Sequence, residues 1–297
     1  MSITVPDYGP YTIGRPIGKG SYGTVYLLIP HNPSNPSLCV KRYSKKKLCQ
    51  PHHRKLIENE CMVNSLLREA ISQNAAQQTP HPGANYIMQL LYVEETSTCY
   101  HFVMPYAPGG DLFTYLETRK KLSESEAAKI VTQLALALDF AHRCAGVVHR
   151  DIKPDNILLS DSMCSSILLI DWGLSTRLPG PDDPPLSDCC GSPLYAAPEL
   201  QYKCDYNGEP VDCWSTGIVL YALLTGTCPF DDPNNFVPNL YRKIRECAPH
   251  YPSHLSANAK DLLNKLIHRD ASTRGTISTI LTHPFITGTQ KGACELS

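Results

Sequence analysis

The sequence predicts an α+β protein of two unequal lobes, and three observations carry that prediction. Residues 11 to about 104 break into short β-rich runs separated by turn residues, whereas apolar residues from about 111 to 285 recur mostly at helical spacing. With 297 residues the chain can bury a large core, enough for one bilobal unit or two modest domains, with nothing left over for a separate regulatory domain.

In chain order, strands are expected over 11–17 and 24–29 on either side of a glycine-rich turn, and over 38–43 after a Pro/Asn/Ser loop. A helix is expected from about 54 to 69. Residues 70–80 are polar and Gln-rich, which predicts an extended loop before strands at 87–94 and 99–104. The second lobe has a definite helix start, because Ser123 with Glu126 three residues on forms a capping box. Ala127, Ile130, Val131, Leu134, Leu138 and Ala141 then give that helix one buried face, and it is expected to end near Gly146. Further helices are expected around 211–225, 257–267 and 276–281. The chain shows no internal repeat and no low-complexity tail.

A formal net charge of -1 argues against a nucleic-acid partner, and the basic run Lys45-Lys46-Lys47 with Arg54 and Lys55 reads as a solvated face. Thirteen cysteines are scattered without a C-x-x-C pair or a histidine at zinc spacing, so no metal cluster is implied. No apolar run reaches membrane-spanning length and no leader pattern follows Met1. Reduced thiols in cytosol or nucleus are the expectation.

The chemistry concentrates in His149-Arg150-Asp151-Ile152-Lys153-Pro154-Asp155-Asn156, which sets a carboxylate, a cation and an amide oxygen at fixed spacing on one loop. Phosphoryl transfer to a hydroxyl needs such groups to orient the alcohol, neutralise the migrating phosphate and hold magnesium. Gly18-Lys19-Gly20-Ser21-Tyr22-Gly23-Thr24-Val25 joins two expected strands, where missing Cβ atoms let backbone N–H groups approach phosphates. A dinucleotide-binding loop would open a helix there, and the continuation Thr-Val-Tyr-Leu-Leu-Ile is a strand. A plain hairpin is the bland alternative. Lys41 ends an apolar strand and needs an anionic partner. Glu60 is preferred over Glu58, because apolar residues follow Glu60 at +1, +3 and +7; the bland alternative is a surface salt bridge.

In order and spacing these motifs resemble the eukaryotic protein kinase family over about 11–286. The resemblance implies a bilobal protein kinase fold. It also implies an N-terminal extension (1–10), an N-lobe (11–104), a hinge (105–110), a C-lobe (111–286) and a tail (287–297). It implies ATP and magnesium as cofactors, with Lys41 on the α/β-phosphates and paired to Glu60, Asp151 as base, Lys153 at the γ-phosphate, and Asn156 with Asp171 as metal ligands. Ile17, Gly18, Gly20, Gly23, Val25, Cys39, Met104, Pro105, Ala107, Asp111 and Leu158 would surround the nucleotide. Met104 would be the gatekeeper, and Pro105 and Ala107 would meet adenine through backbone groups. Lys153 and the segment Gly191-Ser192-Pro193-Leu194-Tyr195-Ala196-Ala197-Pro198-Glu199 resemble the Ser/Thr branch, and residues 209–232 most resemble its calcium/calmodulin-dependent and AMP-activated group. Arg274 would pair with Glu199.

Several finer expectations follow from that resemblance. Asp111 and Asp155 would receive an arginine upstream of the phosphoacceptor, and Cys189, Pro193 and Ala196 would form an apolar pocket for the residue after it. Asp188 would offer Arg150 a fixed carboxylate where relatives carry a phosphorylatable threonine, with Ser187 as a further regulatory position. Trp172 replaces phenylalanine in Asp171-Trp172-Gly173, and Asn64 stands where leucine is usual. A hydrogen bond from the indole to Asn64, or to a nearby carbonyl, would then tie the helix of Glu60 to the magnesium loop. Cys294-Glu295-Leu296-Ser297 fits a prenylation motif, a weak lipid anchor at most. The expectation is a monomeric catalytic domain acting on protein substrates. A nucleotide-binding pseudokinase scaffold and a small-molecule phosphotransferase are the alternatives.

Overall fold

The computed structural model describes residues 8–20, 23–48, 50–180, 182–201, 205–232, 234 and 236–288. The N-lobe is built from β1 (Tyr11–Lys19), β2 (Gly23–Pro30), β3 (Leu38–Ser44), α1 (Pro51–Ala75), β4 (Tyr92–Glu95) and β5 (Cys99–Pro105). The strands form one antiparallel sheet in the order β1-β2-β3-β5-β4. Side chains alternate across it, as strand geometry requires. Leu38, Val40 and Val103 pack with Leu28 and Tyr8 on one face, while Tyr43 and Phe102 meet Ile57 of α1 on the other. Lys41 shares the face of Tyr43, so the β period itself turns its amine toward α1. Gly23 is required by the sheet, because a Cβ there would lie 2.7 Å from the Arg42 carbonyl oxygen.

Helix α1 runs to Ala75, further than expected, and this overturns the first half of the loop expected over 70–80, while residues 76–80 are non-helical as expected. Val63, Leu67, Ala70 and Asn74 lie on one buried stripe at helical spacing. The Asn74 side chain then clamps the returning chain, donating to His81 O (3.1 Å) and accepting from His81 N (2.7 Å). The strand expected at 87–94 is also shorter. Residues Pro82–Tyr86 form a 3-10 turn, Ile87 bridges to Leu169 of the C-lobe, and pairing with β5 begins only at Tyr92.

The C-lobe contains α2 (Leu112–Arg119), α3 (Glu124–Arg143), β6 (Val147–Val148), β7 (Ile157–Leu159), β8 (Ile167–Leu169), β9 (Thr176–Arg177), α4 (Gly208–Thr225), α5 (Val237–Glu246), α6 (Ala257–Leu266) and α7 (Ile277–Thr282). The capping box at Ser123 is formed in both directions. Helices α2 and α5 were not expected. Helix α4 is buried almost all round, and with α3 it forms the centre of the core. Two small ladders aim the chemistry: β6–β9 and β7–β8 bracket residues 149–156 on one side and Asp171 with the turn after it on the other. Among the described residues no helix is long and apolar enough to cross a membrane. Cys294 and its prenylation motif lie outside the described residues, as do Ser21 and Tyr22 of the glycine loop.

Candidate active site

Between the lobes lies a cleft of about 630 Å³, lined by Ile17, Gly18, Gly20 and Val25 above and by Asp111, Asn156, Leu158 and Asp171 below. Cys39, Lys41, Glu60, Met104, Ala107 and Lys153 complete its wall. Two residues expected at the nucleotide stand off that wall. Gly23 is locked in the β2–β3 ladder, and Pro105 pairs with Leu38 while its carbonyl accepts from Cys39 Sγ (3.6 Å). Burial pushes the Cys39 thiol up to about 12, so it behaves as a small apolar group.

Lys41 Nζ reaches Asp171 Oδ1 at 3.0 Å and Glu60 Oε1 at 3.4 Å. Tyr43 donates to Glu60 Oε2 at 2.5 Å, which fixes the carboxylate from behind. Burial disfavours the Lys41 ammonium, but Glu60 and Asp171 outweigh it and hold its pKa well above the usual value. For Asp171 burial acts upward and Lys41 prevails, leaving the carboxyl below its ordinary range. Burial raises the Glu60 carboxyl above its ordinary range, with Lys41 opposing, so the pair keeps Lys41 charged between Glu60 and Asp171.

On the loop between β6 and β7, Asp151 is held from three directions. Ser192 N donates to Oδ1 (2.8 Å), and Lys153 Nζ (2.8 Å) and Asn156 Nδ2 (3.0 Å) donate to Oδ2. Lys153 also donates to Ser192 Oγ (2.8 Å). Gly191 has φ +91, and a Cβ there would approach the Arg150 carbonyl oxygen to 2.7 Å, so only glycine lets the segment lie this close to the 149–156 loop. Below the loop, the Asp212 carboxylate of α4 accepts from the backbone N–H groups of His149 (2.9 Å) and Arg150 (2.8 Å) and pairs with His142 Nε2 (2.8 Å).

A second groove opens beside Lys153, lined by Asp155, Pro193, Leu194, Asp231, Val237 and Leu240. Of the three residues expected to form the apolar pocket, Pro193 alone lines it. Ala196 is buried in the C-lobe core, and Cys189 is exposed on the segment. Their place is taken by Leu194 and by Val237 and Leu240 of α5, a helix brought over by the fold. The Asp111 carboxylate is engaged as the cap of α2, accepting from Thr114 N (2.7 Å) and Thr114 Oγ1 (3.1 Å). Asp155 is exposed.

Arg150 Nη1 lies 3.9 Å from Asp188 Oδ2, whose side chain is 84 % exposed. Its closer partners are Leu174 O (2.8 Å) and Tyr206 OH (2.9 Å), and Tyr206 OH in turn donates to Asp188 O (3.1 Å). Arg274 and Glu199 form the expected bidentate pair at 2.6 and 3.0 Å.

The tie from Asn64 to Trp172 is absent. Asn64 Nδ2 turns back to Glu60 O of its own helix (2.8 Å), and the buried Trp172 Nε1 has no hydrogen-bond partner. Trp172 packs instead against the His149 ring, with centroids 4.6 Å apart. The helix is tied to the turn after Asp171 by Asn59, one residue before Glu60, which donates to Gly173 O (3.1 Å) and Ser175 O (2.7 Å). An asparagine inside a helix, where its propensity is poor, was the only signal of this in the sequence.

Comparison with known proteins gives the same arrangement a lineage. The family model for the protein kinase domain matches residues 11–286. The SNF1-like protein kinase ssp2 of Schizosaccharomyces pombe is 36% identical over 284 residues, covering 96% of this chain and 45% of that protein. The SNF1-related protein kinase catalytic subunit alpha KIN12 of Arabidopsis thaliana is 36% identical over 275 residues, 93% of this chain and 51% of its own length. Serine/threonine protein kinase OSK3 of Oryza sativa is 37% identical over 273 residues, 92% of this chain and 49% of its own. The chain thus spans about half the length of these curated relatives. It belongs to the eukaryotic protein kinase family, on the serine/threonine side and near the SNF1-like group.

Proposed function

We propose that this protein is an ATP- and magnesium-dependent serine/threonine kinase acting on protein hydroxyls. The observation that carries the reading is the fixed Asp151 carboxylate, held by Lys153, Asn156 and Ser192 below the cleft where Lys41, Glu60 and Asp171 meet. The donor set fits the cofactors. Asn156 Nδ2 is taken up by Asp151, which leaves Oδ1 for a cation, and Asp171 keeps Oδ2 beside the Oδ1 that meets Lys41. Magnesium commonly takes one or two protein oxygens together with phosphate oxygens. When bound, it would neutralise charge on the phosphates.

The remaining work falls to the chain. Asp151 orients the acceptor hydroxyl and takes its proton, with Oδ1 retaining acceptor capacity beside the Ser192 N–H. Lys153 places a positive charge at the migrating phosphate, and Lys41 holds the other phosphates while Glu60 fixes its amine. Ile17, Val25, Cys39, Met104 and Leu158 enclose the purine, and Ala107 supplies the backbone donor.

The exposed carboxylates of Asp155 and Asp231 in the second groove support a preference for an arginine upstream of the acceptor. Asp111 contributes less, being engaged as a cap. The free thiols among the described cysteines support a reducing compartment, cytosol or nucleus. Asp188 supports activity without activation-segment phosphate, and exposed Ser187 beside it is a site where phosphorylation would add control.

The test is transfer of labelled phosphate from ATP by the parent and by Asp151→Asn to arginine-containing peptides, acidic peptides and small alcohols. Transfer to the arginine peptides, lowered at least about a hundredfold by D151N, is expected. Nucleotide binding without transfer would leave the pseudokinase alternative, and transfer to small alcohols alone would leave the small-molecule one. Preference for acidic peptides would overturn the substrate assignment.

A further inference from the structure

We infer that Asn59 is a positioning residue that makes the placement of helix α1 and the placement of the magnesium loop a single event. This rests on the kinase assignment for its consequence, though not for its geometry. The turn from Asp171 to Ser175 is gripped at three successive carbonyls. Asn59 donates to Gly173 O and Ser175 O, and Arg150 Nε of the catalytic loop donates to Leu174 O between them. The neighbouring Glu60 reaches the other end of the same turn through Lys41 and Asp171. Adjacent residues of one helix therefore hold both ends of one turn, one through charge and the other through two amide hydrogens.

The turn has reason to need holding. Asp171 has φ 64, a left-handed conformation that a non-glycine residue keeps only when its surroundings impose it. Trp172 is 2 % exposed with its indole N–H unpaired, so it offers the turn packing without a hydrogen bond. Asn64, the polar residue one helical turn on, is bonded within α1. Ser175 is itself fully buried, and its Oγ donates to His149 O (3.2 Å). If α1 swung outward, the carbonyls of Gly173 and Ser175 would lose their donor as Lys41 lost Glu60. Loss of two neutral hydrogen bonds corresponds to about 5- to 150-fold in the balance between the held and released turn.

The test compares Asn59→Leu, which keeps the shape and removes both donors, with Asn59→Ser, which keeps one short donor. Tryptophan emission and amide hydrogen exchange over 171–175 and across Lys41 and Glu60 are read alongside kcat and the KM for ATP. The other tryptophan, Trp214, is held in α4 between Phe230 and the Arg274 guanidinium, neither of which belongs to α1 or the 171–175 turn, so an emission change reports on Trp172. The expected result for N59L is emission shifted to longer wavelength, faster exchange in both segments together, and kcat/KM for ATP lowered about tenfold, with N59S between it and the parent. A midpoint of unfolding close to the parent's is expected alongside, which separates positioning from general destabilisation. Parental emission and exchange in N59L would overturn the inference, as would faster exchange in one segment alone. If N59L does not fold, N59S decides by the same readings. A parent that transfers no phosphate would overturn the kinase assignment, while emission and exchange still judge the clamp.

Discussion

Replacing Asp212 by asparagine keeps the shape of a fully buried side chain and changes what it can accept. In the parent, Oδ1 takes the Arg150 N–H, and Oδ2 takes the His149 N–H and pairs with His142 Nε2, all within 2.9 Å. A carboxamide has one oxygen and two hydrogens to donate. With its NH2 toward Arg150, that backbone N–H is orphaned. With its NH2 toward His149, the His142 ring can change tautomer and accept, but the His149 N–H is orphaned instead. Either arrangement strands one buried backbone donor, about 1–3 kcal/mol, and removes the charge from the surviving bonds, about 1 kcal/mol more. The expected loss is about 2–4 kcal/mol.

The loss falls on the 149–156 loop, because Arg150 sits at φ 65 and the bond to Asp212 helps to hold it there. Urea denaturation with an unchanged slope gives the stability, and turnover at saturating ATP gives the effect on Asp151, the next residue. Turnover is expected to fall at least about tenfold with the KM for ATP within about twofold, since Asp212 does not line the cleft. Burial pushes the Asp212 carboxyl up, but hydrogen bonds from His142 and the backbone prevail and hold its pKa below the ordinary value. Its contribution is therefore present above the unfolded carboxylate range, near about 3.9, and lost as pH falls through the lower folded value. D212N should lack that acid-side loss. A D212N protein within about 0.5 kcal/mol of the parent and fully active would refute the reasoning.

Two further outcomes are expected. Asp188→Ala should lower activity measurably but by no more than about fivefold, because a pair at 3.9 Å with an exposed carboxylate contributes at most about 1 kcal/mol, and phosphatase-treated parent should stay active. Inactivity after phosphatase treatment, or no change at all in D188A, would remove Asp188 from the regulatory account. Cys39, with its thiol at about 12, should resist iodoacetamide at pH 8 while exposed Cys144 is labelled, as read by peptide mass spectrometry; equal labelling would contradict the burial argument.

What the sequence by itself determined was what neighbouring residues enforce on one another. The Ser123–Glu126 box and the strand alternation that turns Lys41 to one face depend on residues a few positions apart; the 149–156 loop was legible as a motif, although Ser192 and Asp212 hold it in place. The Lys41–Glu60 pair was also legible, because strand and helix periods fix both side chains once the two elements face each other. The remainder was decided by partners far apart in the chain. Helix α1 continues past residue 70 because its last turns find a buried seat and Asn74 finds His81, against a local composition that favours a loop. Ala196 lies in the core and α5 walls the second groove, since packing settles which small residues meet solvent. The tie between α1 and the turn after Asp171 was expected at Asn64 and is made at Asn59, whose carbonyl partners lie 114 and 116 residues away. Helical spacing narrows which residues can face a neighbour, but the direction of a flexible amide is chosen by the acceptors the finished fold brings within reach.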